Sequence, residues 1–130
     1  MPTRGKLFEY AVDVDRVGRM TIPGGASVEP AEGWMPDHLL LAALVTCSIE
    51  SFRFHARRAG HEIAASGEAQ GTVTQRESDG RYAFVLIAVR VDAQLTPRQN
   101  DTTDLIAKAE RDCFVGASLT IKPEYEWRVS

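Results

Sequence analysis

Two residues of this sequence carry nucleophilic sulfur, Cys47 and Cys113, 66 positions apart. A thiol reacts as its thiolate, so its chemistry depends on neighbours that favour the charge. One thiol oxidised by a peroxide becomes a sulfenic acid, and a second within reach condenses with it to a disulfide. The cations that could favour a thiolate here are Arg16, Arg19, Arg53, Arg57 and Arg58. By itself, a cysteine in an apolar helix is more often a small hydrophobe, unreactive because burial raises its pKa. Paired redox thiols and inert core residues both remain open on the residues alone.

Asp37 adds a geometric constraint. It precedes Cys47 by ten residues. On one helix that places the two about 15 Å apart, so Asp37 could serve the thiol only from a second subunit. Its simpler role is a favourable charge in the first turn of a helix. Other chemistries have little support. His38, His55 and His61 show neither zinc-protease spacing nor a Cys-x-x-Cys partner, so no metal or cofactor is expected. There is no Gly-x-Ser-x-Gly, no histidine base evident for Cys47 and no phosphate loop.

The elements that must position these residues follow from periodicity. Phe8, Tyr10, Val12 and Val14 alternate with polar residues as in a half-buried strand. Asp15-Arg16-Val17-Gly18 reads as a turn, 19–22 as a returning strand and 23–33 as a surface loop. A helix begins at Pro36, apolar all round from Leu39 to Val45 as a central buried helix would be, and ends at Gly60. Ile63 to Gln75 and Arg81 to Ala93 read as two strands. The second is nearly all apolar, which predicts cover on both faces. A second helical region begins at Thr96-Pro97, with Leu105, Ile106, Ala109 and Cys113 on one face. A strand over 122–129 closes the chain. The order β-β-α-β-β-α-β predicts an α+β fold with a mainly antiparallel sheet around a buried helix.

Length and composition bound the class. The 130 residues fit a single domain over 1–130, able to fold without a staple. Net charge is −3, which argues against nucleic-acid binding. The start, Met1 to Glu9, lacks the apolar core of a signal peptide, and the longest apolar run, Leu39 to Val45, is short for a membrane span. A cytoplasmic location with no membrane partner is the expectation, and there two cysteines are normally reduced.

The run Met35-Pro36-Asp37-His38-Leu39-Leu40-Leu41-Ala42-Ala43-Leu44-Val45-Thr46-Cys47 resembles the central helix of the OsmC/Ohr family, the osmotically inducible protein C and organic hydroperoxide resistance proteins. That family's pattern is Pro-Glu-x-Leu-Leu-x-Ala-Ala, with cysteine ten residues after the acid. Ala109 to Leu119 resembles its second cysteine motif, more loosely. Asp37 stands where peroxidase members usually have glutamate, and Phe114 where proline is common, which points to a divergent branch. The resemblance implies an intertwined homodimer with sites at the subunit interface and thiol-dependent reduction of organic hydroperoxides. By position, Cys47 would be the peroxidatic thiol, Cys113 the resolving thiol and Asp37 the acid that holds an arginine. The arginine would be Arg19 in preference to Arg16. Leu40, Leu44 and Phe54 would help wall an apolar pocket. An external dithiol, lipoyl-type if the family is a guide, would restore the thiols. The alternative is a binding module that holds an apolar small molecule beside unreactive cysteines.

Overall fold

The computed structural model describes residues 5–130. Met1 to Arg4, part of the N-terminal start read above, lie outside the described residues. The chain divides into two compact units, residues 1–35 and 36–130.

The first unit holds three two-residue strands, β1 (Asp13–Val14), β2 (Met20–Thr21) and β3 (Ser27–Val28), antiparallel in that order. The expected turn joins β1 to β2. Asp15 Oδ1 accepts the N–H of Val17 and of Arg19 at 3.0 and 2.9 Å, and Gly18 takes a positive φ of 88°. A short aspartate bonding the backbone two residues on is a common way to set such a turn. The first strand is shorter than the alternation predicts, and β3 lies within the segment expected to be loop.

The second unit opens with α1 (Pro36–Arg58), followed by β4 (Glu62–Gln75), β5 (Tyr82–Thr96), α2 (Thr103–Arg111), α3 (Phe114–Ala117) and β6 (Glu124–Val129). Proline in the first turn of α1 lacks an N–H that would have no partner there. Its end is a Schellman motif, with the His61 N–H on the Ala56 carbonyl at 2.9 Å and the Gly60 N–H on the Arg57 carbonyl at 3.0 Å. Gly60 supplies the positive φ, 91°, that this ending needs.

β5 is the middle strand of its sheet. It pairs antiparallel with β4, from Glu62↔Thr96 to Gln75↔Tyr82, and parallel with β6, from Ala88↔Glu124 to Ala93↔Val129. A parallel neighbour needs a crossover, which α2 and α3 supply. The α+β class and the predominance of antiparallel pairing are as predicted. The start of the second helix is not. Thr96 still pairs with Glu62, the Thr96–Pro97 bond is cis, and α2 begins at Thr103, whose N–H is accepted by Asp101 Oδ1 at 3.0 Å.

α1 packs on β4 and β5 through a single stripe, Leu44, Ser48, Phe52 and Ala56, one residue every four. Its all-round apolar sequence predicts complete burial, yet Ala42, Ala43 and Thr46 are exposed, because one sheet and α2 cover only one side. β5 is likewise buried on one face, at Ile87, Val89, Val91, Ala93 and Leu95, while Leu86 and Ala88 opposite are exposed. By length and composition α1 could cross a membrane; in this fold its inward stripe is core. Phe52, Ala56, Leu95, Leu105 and Ala109 form one core cluster, and Phe52 stacks on Trp127 with ring centroids 5.4 Å apart. Leu44, Ile87, Val89, Val91 and Cys113 form the other.

Candidate functional site

Cys47 precedes Ser48 on α1 and is therefore turned about 100° from the buried stripe. It is half-buried, at the margin of the second core cluster. Cys113 sits in extended backbone between α2 and α3, at φ −76° and ψ 107°, and is wholly buried. Both thiols are free, and Cys47 packs against the apolar cluster that contains Cys113. Burial pushes the Cys47 thiol above its ordinary value. The backbone N–H groups of Val115 and Phe114 work against this, while contact with Cys113 adds to it. Two free thiols beside one cluster, one of them reachable from outside, are the groups from which a disulfide could form.

A pair of hydroxyls adjoins Cys113. Ser48 Oγ donates to the Leu44 carbonyl at 2.8 Å, lies 3.1 Å from Tyr125 Oη and lies 3.7 Å from Cys113 Sγ. Burial pushes Tyr125 up to about 12, against the favourable bond to Ser48, and Cys113 and Glu110 add to the rise. Tyr125 is therefore a neutral O–H donor at physiological pH. Gly116 leaves space for the pair. A Cβ there would lie 3.3 Å from Tyr125 Oη and 3.5 Å from Cys113 Sγ. Sequence reasoning missed both hydroxyls. The available signal was Ser48 itself, a polar residue at a four-residue step within an apolar stripe.

The chain on either side of Cys113 is anchored. Glu110 accepts the Trp127 indole N–H at 2.9 Å, and Ser51 Oγ donates to the Ala109 carbonyl at 2.8 Å. Asp112 bonds Arg111 and His55 Nε2, each at 2.8 Å. Arg111, with His55 adding, holds the Asp112 carboxyl well below the usual carboxylate range. These links tie the end of α2 to α1 and β6, and so fix where Cys113 stands.

The family model for OsmC-like protein matches residues 29–128. The chain belongs to this family. Solved structures of the same fold agree. An OsmC-like protein of unknown function from Vibrio cholerae superposes with a TM-score of 0.77 at 16% identity, covering 93% of this chain and 99% of that one. An organic hydroperoxide resistance protein OsmC from Legionella pneumophila gives 0.62 at 19% identity, covering 97% and 99%. An organic hydroperoxide resistance protein of Bacillus subtilis gives 0.59 at 19% identity, covering 94% and 96%. No curated protein matches the sequence.

Of the residues expected to act in this OsmC-like protein, the structure places Cys47 and Cys113 at one apolar cluster. Asp37 is exposed in the first turn of α1, ten residues before Cys47. Arg16 and Arg19 are exposed residues of the N-terminal unit. Arg53 pairs with Glu50, Arg57 lies 3.2 Å from Glu62, and Arg58 lies over the Phe54 ring. His61, which lacks metal-ligand spacing in the sequence, takes a structural place. It is buried, with Nδ1 2.6 Å from the Pro97 carbonyl and Nε2 2.8 Å from Gln99 Oε1, because the turn after α1 packs against the segment following β5. Among the described residues no three His, Cys, Asp or Glu side chains gather as a metal site needs.

Proposed function

We propose that this OsmC-like protein is a thiol-dependent peroxidase that reduces organic hydroperoxides through a Cys47 sulfenic acid and a Cys47–Cys113 disulfide. The observation that carries this reading is that a half-buried Cys47 packs against the apolar cluster that holds a fully buried Cys113. Structural neighbours named organic hydroperoxide resistance proteins support it.

The Cys47 thiolate attacks the outer peroxide oxygen. The O–O bond breaks, an alcohol leaves, and Cys47 becomes a sulfenic acid. The Cys113 thiolate then attacks that sulfur, and water leaves as the disulfide forms. An external dithiol, of lipoyl type in this proposal, returns two electrons. Burial raises the Cys47 thiol, so turnover needs a cation at the sulfur. We assign that part to Arg19 and its orientation to Asp37 of a second copy, since ten residues of helix separate Asp37 from Cys47 in its own chain. A homodimer is further supported by the exposed side of α1, where Ala43 and the 55%-exposed Phe54 lie close to the angular position of Cys47. The proposed setting is cytoplasmic.

The test is intact-mass analysis and peptide mapping of reduced protein after one equivalent of cumene hydroperoxide, with hydrogen peroxide in parallel. The expected result is rapid loss of two hydrogens, mapped to Cys47–Cys113 and faster with the organic peroxide. Cys47→Ser should abolish turnover. Cys113→Ser should stop at one sulfenic acid per site. Two unmodified thiols after prolonged exposure would overturn the peroxidase. That result would leave the binding-module reading, which the raised Cys47 thiol favours, and an apolar ligand retained by the purified protein would then be sought.

A further inference from the structure

In the proposed cycle the disulfide must be reopened, and the two sulfurs differ in access. Cys47 is half-buried and Cys113 is not exposed at all. An external thiolate therefore attacks the Cys47 sulfur. The S–S bond breaks, its electron pair stays on Cys113, and a mixed disulfide joins Cys47 to the reductant. The reductant's second thiolate then displaces Cys47, and the reductant leaves as its own disulfide. Cys113 must accordingly depart as a thiolate inside an apolar cluster of Leu44, Ile87, Val89 and Val91. A thiolate there is strongly disfavoured unless donors meet it.

We propose that Ser48 and Tyr125 are positioning residues that receive the Cys113 thiolate, stabilising it as leaving group when the disulfide opens and as attacking group when it forms. Both hydroxyls are in place. Ser48 is 1% exposed, lies 3.7 Å from Cys113 Sγ and lies 3.1 Å from Tyr125 Oη, and Tyr125 Oη and Cys113 Sγ border the same space beside Gly116. With a neutral thiol at Cys113, the Ser48 hydrogen rests on the Leu44 carbonyl at 2.8 Å, and the Ser48 oxygen is free to accept from Tyr125 or from Cys113. With a thiolate, the Ser48 O–H can turn from the Leu44 carbonyl to the sulfur 3.7 Å away by rotation alone, and the Tyr125 O–H can donate to the Ser48 oxygen behind it. Gly116 borders both groups, since a Cβ there would lie 3.3 Å from the Tyr125 oxygen and 3.5 Å from the Cys113 sulfur. The titratable groups facing Cys113 and its hydroxyl pair are Cys47 from α1, Glu110 from α2 and Tyr125 itself from β6. Among the described residues none of these supplies positive charge, and the cation proposed for this site is assigned to Cys47, so hydroxyl donors are what adjoins Cys113.

The inference rests on the Cys47–Cys113 pairing of the proposed function, and its test does not require peroxidase activity. The disulfide is formed with diamide, which oxidises thiol pairs generally, and confirmed by peptide mapping. Its opening by dithiothreitol is then timed in the parent chain, in Tyr125→Phe and in Ser48→Ala. Each variant should open about tenfold more slowly or worse, the size expected for one lost hydrogen bond to an anion. A second readout separates this role from a structural one. In a Cys47→Ser background, the ¹³Cβ shift of Cys113 followed against pH should show its titration midpoint moved upward by Tyr125→Phe and by Ser48→Ala. Parent-like opening rates in both variants overturn the inference, and so does slow opening with an unmoved midpoint. Ser48→Ala, which removes one oxygen and leaves the helix intact, keeps the test decisive if Tyr125→Phe loosens β6. If diamide yields a disulfide that cumene hydroperoxide does not, the peroxidase reading fails while the hydroxyl pair remains testable. If no Cys47–Cys113 disulfide forms with either oxidant, the inference falls with the pairing it needs.

Discussion

Cys47 and Cys113 differ in the property that decides which sulfur an outside molecule meets. The first borders the surface, and the second is enclosed by α1, the sheet and the segment before β6. Asp112, immediately before Cys113, has a comparable positional weight. Its carboxyl bridges Arg111 and His55, and its pKa is lowered in the folded chain. A lowered carboxyl contributes stability above its unfolded value, about pH 4, and loses that contribution only as pH falls through the folded value. Asp112→Asn should therefore lower Tm by a steady amount from about pH 7 to about pH 4, with the gap closing only in stronger acid. Thermal melts of both proteins across that range check this; a gap that closes near neutrality would assign the effect to another group. The two cysteines and Asp37 were legible as candidates from type and spacing. Ser48, Tyr125 and the His55–Asp112 link were not, because each depends on contacts across 57 to 77 residues of sequence.

At the scale of elements, α1 can lie close to β4 because that strand carries glycine where the two meet. A Cβ at Gly67 would stand 2.9 Å from both the Arg90 carbonyl oxygen and Val45 Cγ1. The carbonyl belongs to the paired strand and cannot swing away. Gly67→Ala should cost about 1–3 kcal/mol in urea denaturation, as overpacking a filled site does. At Gly71 the added carbon would meet the Phe84 ring, a side chain that can turn aside, so Gly71→Ala should cost less. The reverse ranking would mean that the sheet yields more readily than the aromatic ring. Helix α1 was legible almost to the residue, since Pro36 and Gly60 punctuate it. The start of α2 was not. Proline at position 97 suggests a helical first turn, but Leu95 and Thr96 are held by β4 and the strand runs on to Thr96. Nor does alternation reveal a strand's neighbour or direction. Tyr125, Trp127 and Val129 announce β6 as a strand, and nothing local says that it runs parallel to β5.

For the whole molecule, the class and the family were legible because they reside in the order of elements and in the motif around Cys47. The depth of burial was not. The apolar run on α1 reads as a helix enclosed on all sides, while the chain encloses one stripe of it. Apolar sequence records the total surface to be covered and not which partner covers it. The parallel placement of β6 also sets an order of events in time. Its pairing with β5 joins residues 88–93 to residues 124–129, and the wall it contributes beside Cys113 includes Tyr125 and Trp127. Contacts spanning that much chain carry a loop-closure cost and form late relative to the β4–β5 hairpin. The expected consequence is that Cys113 stays open to oxidants and thiols until the last strand docks. Pulsed alkylation during refolding should find Cys113 labelled until the final kinetic phase and protected after it, with half-buried Cys47 protected less. Protection of Cys113 already in the earliest phase would show that α1 and the hairpin enclose it without β6.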